Sequence, residues 1–416
     1  MTMLLKMTRP EKVRPDMLSV ANARARILAD VAAVSETETV PLIEAAGRVT
    51  AAPVLARFDQ PPFAASAMDG YAVRANDLAG SKPEFVVVGE AAAGHGYAGQ
   101  VGAHEAVRIF TGAPLPAGAD AIVIQENVNR QDDRIHVVDG QPEPGHVRPK
   151  AGDFARGDAL IAANQLLTSR DVTLAAAMGH AALTVRRKPV VAILATGDEL
   201  VMPGEAPGAD QIVCSNSFGL AAMVRAFGGE AQCLGIARDT ADDLNAHLDR
   251  AENADVLITI GGASVGDHDL VADVLQARGM SLDFWKIAMR PGKPLMFGRI
   301  GETRMIGVPG NPVSSLICGR LFGVPLIQRL LGLPGLATVP RMLPLAGTIP
   351  ANGPREHYMR GQIVEGPEGR FSVVASASQD SSLLNVLAQA DVLIVRQPHE
   401  PPAEIGDEVA VVKLDF

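Results

Sequence analysis

The chain has 416 residues, 47% of them apolar but only 4% aromatic, and a formal net charge of −10. That length gives a prior of roughly three domains, with cores built from Ala, Val, Leu and Ile, and the acidic balance argues against nucleic acid or an anionic membrane as partner. Cys214, Cys233 and Cys318 are few, odd in number and unclustered, which excludes a disulfide framework or a zinc signature; with no signal-peptide core at the start and no run near ~20 apolar residues, a soluble cytoplasmic protein is expected.

Pro15-Asp16 reads as a helix start, with Val20, Ile27, Val31 and Val34 following at helical spacing. Pro41 to Val49 reads as a second short helix. The stretch Phe58 to Ala72 has no clean period. Its prolines, Ser66 and the Asp69-Gly70 pair suit either an ordered loop with a task or a plain hairpin turn, and the residues alone favour the turn. Residues 73–149 carry short strand-like runs at 85–88, 106–110, 121–124 and 134–138, a small β domain. Gly94-His-Gly-Tyr-Ala-Gly99 formally matches a dinucleotide fingerprint, but no helix follows it, so that reading is rejected. Thr111-Gly-Ala-Pro-Leu-Pro116 reads as chain reversal. Leu166 to Met178 is helical, capped by Thr168 or Ser169 and stopped by Gly179. Packing of this segment against the first ~50 residues would make the β domain an insertion.

Residues 188–332 alternate strands and helices, which predicts a parallel sheet with right-handed crossovers. A strand at Pro189–Leu194 runs into Thr196-Gly-Asp-Glu199; a helix capped by Ser215 runs to Phe227; a strand at Ala231–Ile236 ends near Asp239. After a helix from Asp242 to Asn253 comes the stretch around which the chain is organised: an apolar run to Ile260, the glycine turn Gly261-Gly-Ala-Ser-Val-Gly266, the carboxylates Asp267 and Asp269, and an amphipathic helix ending at Gly279. The chain returns through Phe284–Met289 into a cationic loop, Arg290-Pro-Gly-Lys-Pro294, with Lys286 just before it. Ligands of such sheets sit beyond the carboxyl ends of the strands. Glycines turn N–H groups toward an anion, and helix starts add partial positive charge. Carboxylates beside an anion site imply a cation between them, most simply magnesium. A last strand, Met305–Val308, enters Pro309-Gly-Asn-Pro-Val-Ser314 and an apolar helix to Leu331, adding another helix start at the same edge. Residues 333–416 return to β character, with strands at 357–364, 371–375, 392–395 and 408–414; Arg360 and Gln379-Asp-Ser-Ser382 read as polar barrel surface.

The turn also contains Gly262-Ala-Ser-Val-Gly266, a nucleophile-elbow match with His357 or His399 downstream as base, which would make Ser264 a hydrolase nucleophile. Asp267 and Asp269 count against it, because they would destabilise a developing oxyanion.

Taken together, Ser66-Ala-Met-Asp-Gly-Tyr71, Thr111-Gly-Ala-Pro114, Ala195-Thr-Gly-Asp-Glu199, Gly261–Gly266 with Asp269, Pro291-Gly-Lys-Pro294 and Pro309-Gly-Asn-Pro-Val313 resemble the molybdopterin molybdenumtransferase family, bacterial MoeA and the E domain of gephyrin. The resemblance implies an α/β multidomain protein: a helical linker and dimerisation region (10–52 and 150–187), an inserted β domain (53–149), a parallel-sheet α/β molybdopterin-binding domain (188–332) and a C-terminal β barrel (333–416). It implies a homodimer whose clefts draw on both subunits, with Asp69 and Thr111 contributed by the partner chain. The implied reaction inserts molybdenum from molybdate into adenylylated molybdopterin with release of AMP. Asp69, Thr111, Glu199 and Asp269 are then the expected catalytic residues, and Asp239, Asp269 and Glu199 the ligands of Mg2+. Gly261, Gly262, Ser264, Gly266, Lys286, Arg290, Lys293, Asn311, Ser314, Arg360 and Ser381 are expected to bind the pterin and oxyanion substrates. Arg290 departs from the lysine often found there, which changes the donor geometry from a point charge to a planar fork. The upstream adenylyltransferase is a further expected partner. An adenylyltransferase on the same scaffold and a binding or scaffold protein are the alternatives, ahead of the hydrolase.

Overall fold

The computed structural model describes residues 17–79, 83–138, 143, 146–262, 270–335, 340–366 and 369–416. The chain forms two compact units, one of Thr37–Val185 and one that joins the described residues up to Glu36 with Arg186–Phe416.

In the first unit a six-stranded sheet runs in the order Ala121–Ile124, Gly70–Val73, Glu105–Ile109, Glu84–Ala91, Arg134–Val137, Val128–Gln131. Its side chains alternate between two cores: Tyr71, Val73, Ala106 and Val123 on one face, Ala72, Val107, Ile109 and Ile122 on the other. Gly70–Val73 and Ala121–Ile124 are covered on both faces and are apolar throughout. The flanks share a separate core in which Val40, Ala45 and Val54 meet Phe154, Ile161, Leu167, Met178 and Val185. The sheet is thus inserted between two segments that fold together. The helix Ser169–Ala177 starts in a reciprocal capping box between Thr168 and Asp171 and stops before Gly179 at φ 92°.

Two expectations near the start are corrected. The expected second helix at 41–49 is a strand, Thr37–Pro41, followed by one 3-10 turn, Leu42–Glu44. Gly47 at φ 78° carries the chain out of helical space. The first helix is Val20–Leu28, capped by Ser19, and ends when Ala29 turns extended, so Val31 and Val34 lie beyond it. It belongs to the unit that contains 186–416, not to the 37–185 core.

In the second unit the central sheet runs Glu230–Ala237, Val190–Thr196, Val256–Ile260, Thr303–Val308, Met296–Ile300, Ser281–Trp285. The first four strands are parallel; the last two are antiparallel. The expected all-parallel sheet is therefore mixed. Ile300 pairs with Thr303 across a two-residue turn in which Gly301 has φ 56°, a hairpin that a parallel crossover could not make. Two reversals restore the direction, so Trp285 ends at the same edge as the parallel strands. Leu257, Val271, Leu275, Met296 and Met305 fill one core with Leu234, Leu244 and Leu248. Each such side chain contributes about 1.5–3 kcal/mol on burial. The helix Pro312–Cys318 passes through a π-helical turn, Gly319–Gly323, into Val324–Leu330.

The C-terminal sheet runs Met289–Arg290, Glu356–Glu365, Val392–Arg396, Glu408–Lys413, Arg341–Pro344, with Phe371–Ala375 pairing the later part of Glu356–Glu365 on the same side as Met289–Arg290. A bridge from Leu345 to Val373 curls it into a half-barrel. Its first strand belongs to the cationic loop. Arg290 is therefore held in register opposite His357 rather than carried on a free loop. Among the described residues no helix is long and apolar enough to cross a membrane.

Candidate functional site

A cavity of about 670 Å3 opens at the carboxyl ends of strands 190–196, 256–260 and 303–308. Its lining includes Thr196, Glu199, Gly261, Gly262, Lys286, Lys293 and Asn311. Gly261 leaves the central strand at φ 90°, and a Cβ there would stand 2.8 Å from the Thr196 carbonyl oxygen. Only glycine lets the chain turn so close to the neighbouring strand. Ser264, Gly266, Asp267 and Asp269 lie outside the described residues.

On one wall, Glu199 sits at the foot of a two-stranded ribbon in which Leu200 pairs with Ile212. Arg238 Nη1 fixes this turn by donating to the carbonyls of Asp198 at 3.0 Å and Leu200 at 3.3 Å. Asp239 follows, its amide 3.3 Å from Asp198 Oδ1. Partial burial, then the charges of Asp198 and Glu199, push the Asp239 carboxyl above its ordinary value. Three carboxylates thus lie near one another, but of them only Glu199 lines the cavity and the expected ligand Asp239 does not; among the described residues no group of three or more metal-ligating side chains is poised for a metal. The cap of the following helix is Thr240, whose side chain accepts from Asp243 N, so Asp239 is not needed there.

The opposite wall is basic. Lys286 and Lys293 line the cavity, and the backbone bond from Ile287 N to Lys293 O, 3.0 Å, closes their loop. Gly292, at φ 103°, packs where a Cβ would collide with Met289 and Cys318. The floor is the start of helix 312–318, with Pro312 at its first position and Asn311 before it. Asn311 Nδ2 donates to Ser381 Oγ at 2.9 Å, and Val313 N to Ser381 O at 3.2 Å, so the 379–382 turn is tied to this helix start.

Several expected residues stand apart from the cavity. Ser314 is 4% exposed and does not line it. Arg290 and Arg360 belong to the C-terminal sheet. The expected solvated position of Arg360 is wrong: the side chain is 1% exposed. Its Nη2 donates to Ser378 O at 3.0 Å, and its Nε has no partner. Burial, opposed by Asp380 and reinforced by Arg290, lowers its pKa. His357 is also buried, its Nε2 unpaired. Burial and then Arg290, Arg355 and Arg360 depress it to about 4. A histidine ringed by guanidiniums is poorly suited to be the base of a serine hydrolase, which takes on positive charge as it works.

Asp69 and Thr111 lie in the 37–185 unit and are bonded to each other. Thr111 N and Oγ1 donate to Asp69 Oδ1 at 2.8 and 2.9 Å. Their sequence segments, 58–72 and 111–116, looked like separate turns. The pairing that unites them, Gly70 with Ile109, is a tertiary strand contact with no local signal. Arg108, Arg238 and Asn216 were not singled out by the sequence either. Asn216 donates to Gly310 O at 2.6 Å and so supports the floor.

Models of known families match three parts of the chain: the MoeA N-terminal region (domain I and II) over residues 18–179, a probable molybdopterin binding domain over 192–329, and the MoeA C-terminal region (domain IV) over 342–414. The molybdopterin molybdenumtransferase of Nostoc sp. is 35% identical, the match covering 97% of this chain and 95% of that protein. That of Haemophilus influenzae is 32% identical over 95% of this chain and 98% of its own. Two crystal structures of the molybdopterin biosynthesis MoeA protein from Pyrococcus horikoshii superpose with TM-scores of 0.82 and 0.81, at 30% and 27% identity. They cover 96% and 95% of this chain and 100% of each of theirs.

Proposed function

The chain belongs to the molybdopterin molybdenumtransferase family, and from that premise we propose how its own residues carry molybdenum insertion into adenylylated molybdopterin with release of AMP. The observation that carries the assignment of roles is the cavity in which the glycines 261 and 262, the carboxylate of Glu199 and the ammonium groups of Lys286 and Lys293 line one ligand-sized space.

The N–H of Gly262 is the backbone donor proposed for the phosphates, because that of Gly261 is spent on Val308 O and that of Val313 on Ser381 O. Lys286 and Lys293 add fixed charge beside them, in a cavity that offers little reorganisation cost. Asp239 and Glu199, with Asp269, are the proposed magnesium ligands. Burial first, and then the charges of Asp198 and Glu199, raise the pKa of Asp239, and a divalent cation would relieve the second of these. Magnesium there supplies neutralisation of phosphate charge and orientation of the attack that frees AMP. Molybdate is a tetrahedral oxyanion, and Arg290 and Arg360 are the proposed holders. The unpartnered Arg360 Nε is a buried charged donor with an unmet bond. Ser381, through Asn311, ties this region to the cavity floor. The dithiolene of the pterin supplies the soft sulfur donors for molybdenum, so the protein needs no cysteine cluster.

We read the protein as a cytoplasmic homodimer in which Asp69 and Thr111 serve the cleft of a second copy. The free thiols Cys214, Cys233 and Cys318 agree with a reducing compartment. The purified chain, given adenylylated molybdopterin, molybdate and magnesium, should release AMP; tungstate run alongside measures the effect of arginine at 290. No AMP release would overturn the assignment, and ATP consumption by the chain alone would favour the adenylyltransferase.

A further inference from the structure

Arg108 is enclosed more completely than a surface arginine of a β domain requires. Its guanidinium carbon lies 5.2 Å from the centroid of the Tyr71 ring and 4.6 Å from that of Phe110. Nη1 donates to the Gly70 carbonyl at 2.9 Å, and Nη2 to Gln125 Oε1 at 2.6 Å. Gln125 in turn donates its backbone N–H to the Asp69 carbonyl at 3.1 Å. The Asp69-Gly70 peptide segment is therefore gripped at both carbonyls, one directly by Arg108 and one through Gln125. Gly70 has no room to shift, since a Cβ there would lie 2.1 Å from Val123 O. At the far end of this turn the Asp69 carboxylate uses only Oδ1, which accepts from Thr111 N and Oγ1. Among the described residues Oδ2 receives no hydrogen bond.

We propose that Arg108 is a positioning residue for Asp69: it clamps the turn so that Oδ1 stays on Thr111 and Oδ2 is presented, ionised and in a fixed direction, to the reaction. This rests on the reading of Asp69 as a working carboxylate. The clamp requires a guanidinium. Two diverging acceptors need a planar fork, and two ring faces need a flat cation between them; an ammonium on a flexible stem offers neither. The amide and hydroxyl of Thr111, with the charge of Arg108 adding to them, hold the Asp69 carboxyl below its ordinary value.

The test is a double-mutant cycle on AMP release, with melting curves to confirm folding. Arg108→Met should lower kcat about tenfold or more with the molybdate KM unchanged, and should move the acid limb of the pH profile upward. The sign follows because loss of a nearby cation raises the pKa of a carboxylate. Arg108→Lys keeps the charge but not the fork, so it should lose kcat while leaving the acid limb in place. In an Asp69→Asn background Arg108→Met should cost nothing further. Multiplicative losses in the double variant, or an Arg108→Lys enzyme with wild-type kcat, would overturn the proposal. Should Arg108→Met fail to fold, the lysine variant alone decides. Wild-type turnover by Asp69→Asn would instead overturn the reading of Asp69 itself.

Discussion

Arg360→Met separates a stabilising arginine from one held for a ligand. The side chain is almost completely buried and, among the described residues, donates to Ser378 O and leaves Nε unpaired. Its backbone is secured independently: Arg360 N donates to Gln379 Oε1 at 2.9 Å, and Gln379 Nε2 donates back to Arg360 O at 3.0 Å. Both bonds survive any side chain at this position. Removal of the guanidinium forfeits the bond to Ser378, about 1.5–3 kcal/mol for a charged donor, but also removes a buried cation whose desolvation costs several kcal/mol. The two nearly cancel, so the melting temperature should change little or rise. On the proposed role of Arg360, a tetrahedral dianion would lose far more, because its charge-assisted bonds to Arg360 would have no replacement. A loss of about 1.5–3 kcal/mol in binding corresponds to roughly 10- to 150-fold in the molybdate concentration needed for half-maximal AMP release. The assay is AMP release against molybdate concentration, beside thermal melts in the absence of substrate. A variant that melts much lower yet keeps its molybdate dependence would refute the reasoning, since Arg360 would then be structural.

Gly261→Ala should leave a folded protein with greatly reduced AMP release: a Cβ at φ 90° costs about 1–2 kcal/mol in strain and meets Thr196 O at 2.8 Å, so the turn must move off the ligand. Asp239→Asn should stabilise the protein at neutral pH while abolishing magnesium-dependent turnover. A carboxyl whose folded pKa is raised contributes stability below its unfolded pKa and loses it as pH rises through the folded one; the melting difference between variant and wild type should therefore shrink as pH falls toward the carboxylate range. Thr168→Ala removes the capping box of helix 169–177 and should cost about 1 kcal/mol with AMP release per folded molecule unchanged. Chelation of divalent cations should stop AMP release and restore it on adding magnesium, without altering the far-UV spectrum.

Local pattern sufficed where burial was uniform. The runs Val190–Thr196 and Val256–Ile260 are buried on both faces, so they read as central strands without any partner in view. Thr168 or Ser169 marked a helix start from the residues alone, because a cap is a local contact; the structure places the cap at Thr168, boxed with Asp171. The pattern failed where a distant partner decided. Nothing in Met296–Ile300 shows that it pairs antiparallel on both sides, because pairing direction is not encoded in one strand. Arg360 looked solvated since arginine is mostly exposed, and its burial depends on Ser378, Gln379 and the curl of a sheet built from six separate strands. Glu199, Lys286 and Lys293 were legible as cavity residues because each lies at a strand end or beside a glycine turn. Ser314, equally close to a helix start, faces into the protein, and a helix start does not say which way its third residue points.

On the proposed roles of Lys286, Lys293, Arg290 and Arg360, the placement of the cations would let an acidic protein gather a dianion. Along 286–290 the buried residues Ile287 and Met289 alternate with the exposed Lys286 and Arg290, flanking Ala288. That alternation anchors the segment by its apolar side chains and turns its charges outward. Ala288 accepts from Glu356 N and donates to Leu18 O, so the segment is held from both sides before it reaches Arg290. Lys286 and Lys293 then fall on the cavity wall, while Arg290 is carried into register with His357, near Arg360. A single segment of fixed backbone thus supplies the basic groups of both regions. Because strand pairing fixes their spacing, the field at the ligand is set before binding and costs little to organise during it. A slip of one residue in the pairing of Arg290 with His357 would reverse the alternation, burying the charges and exposing Ile287 and Met289. The register of a two-residue strand is for that reason as much a part of the site as any side chain that lines it.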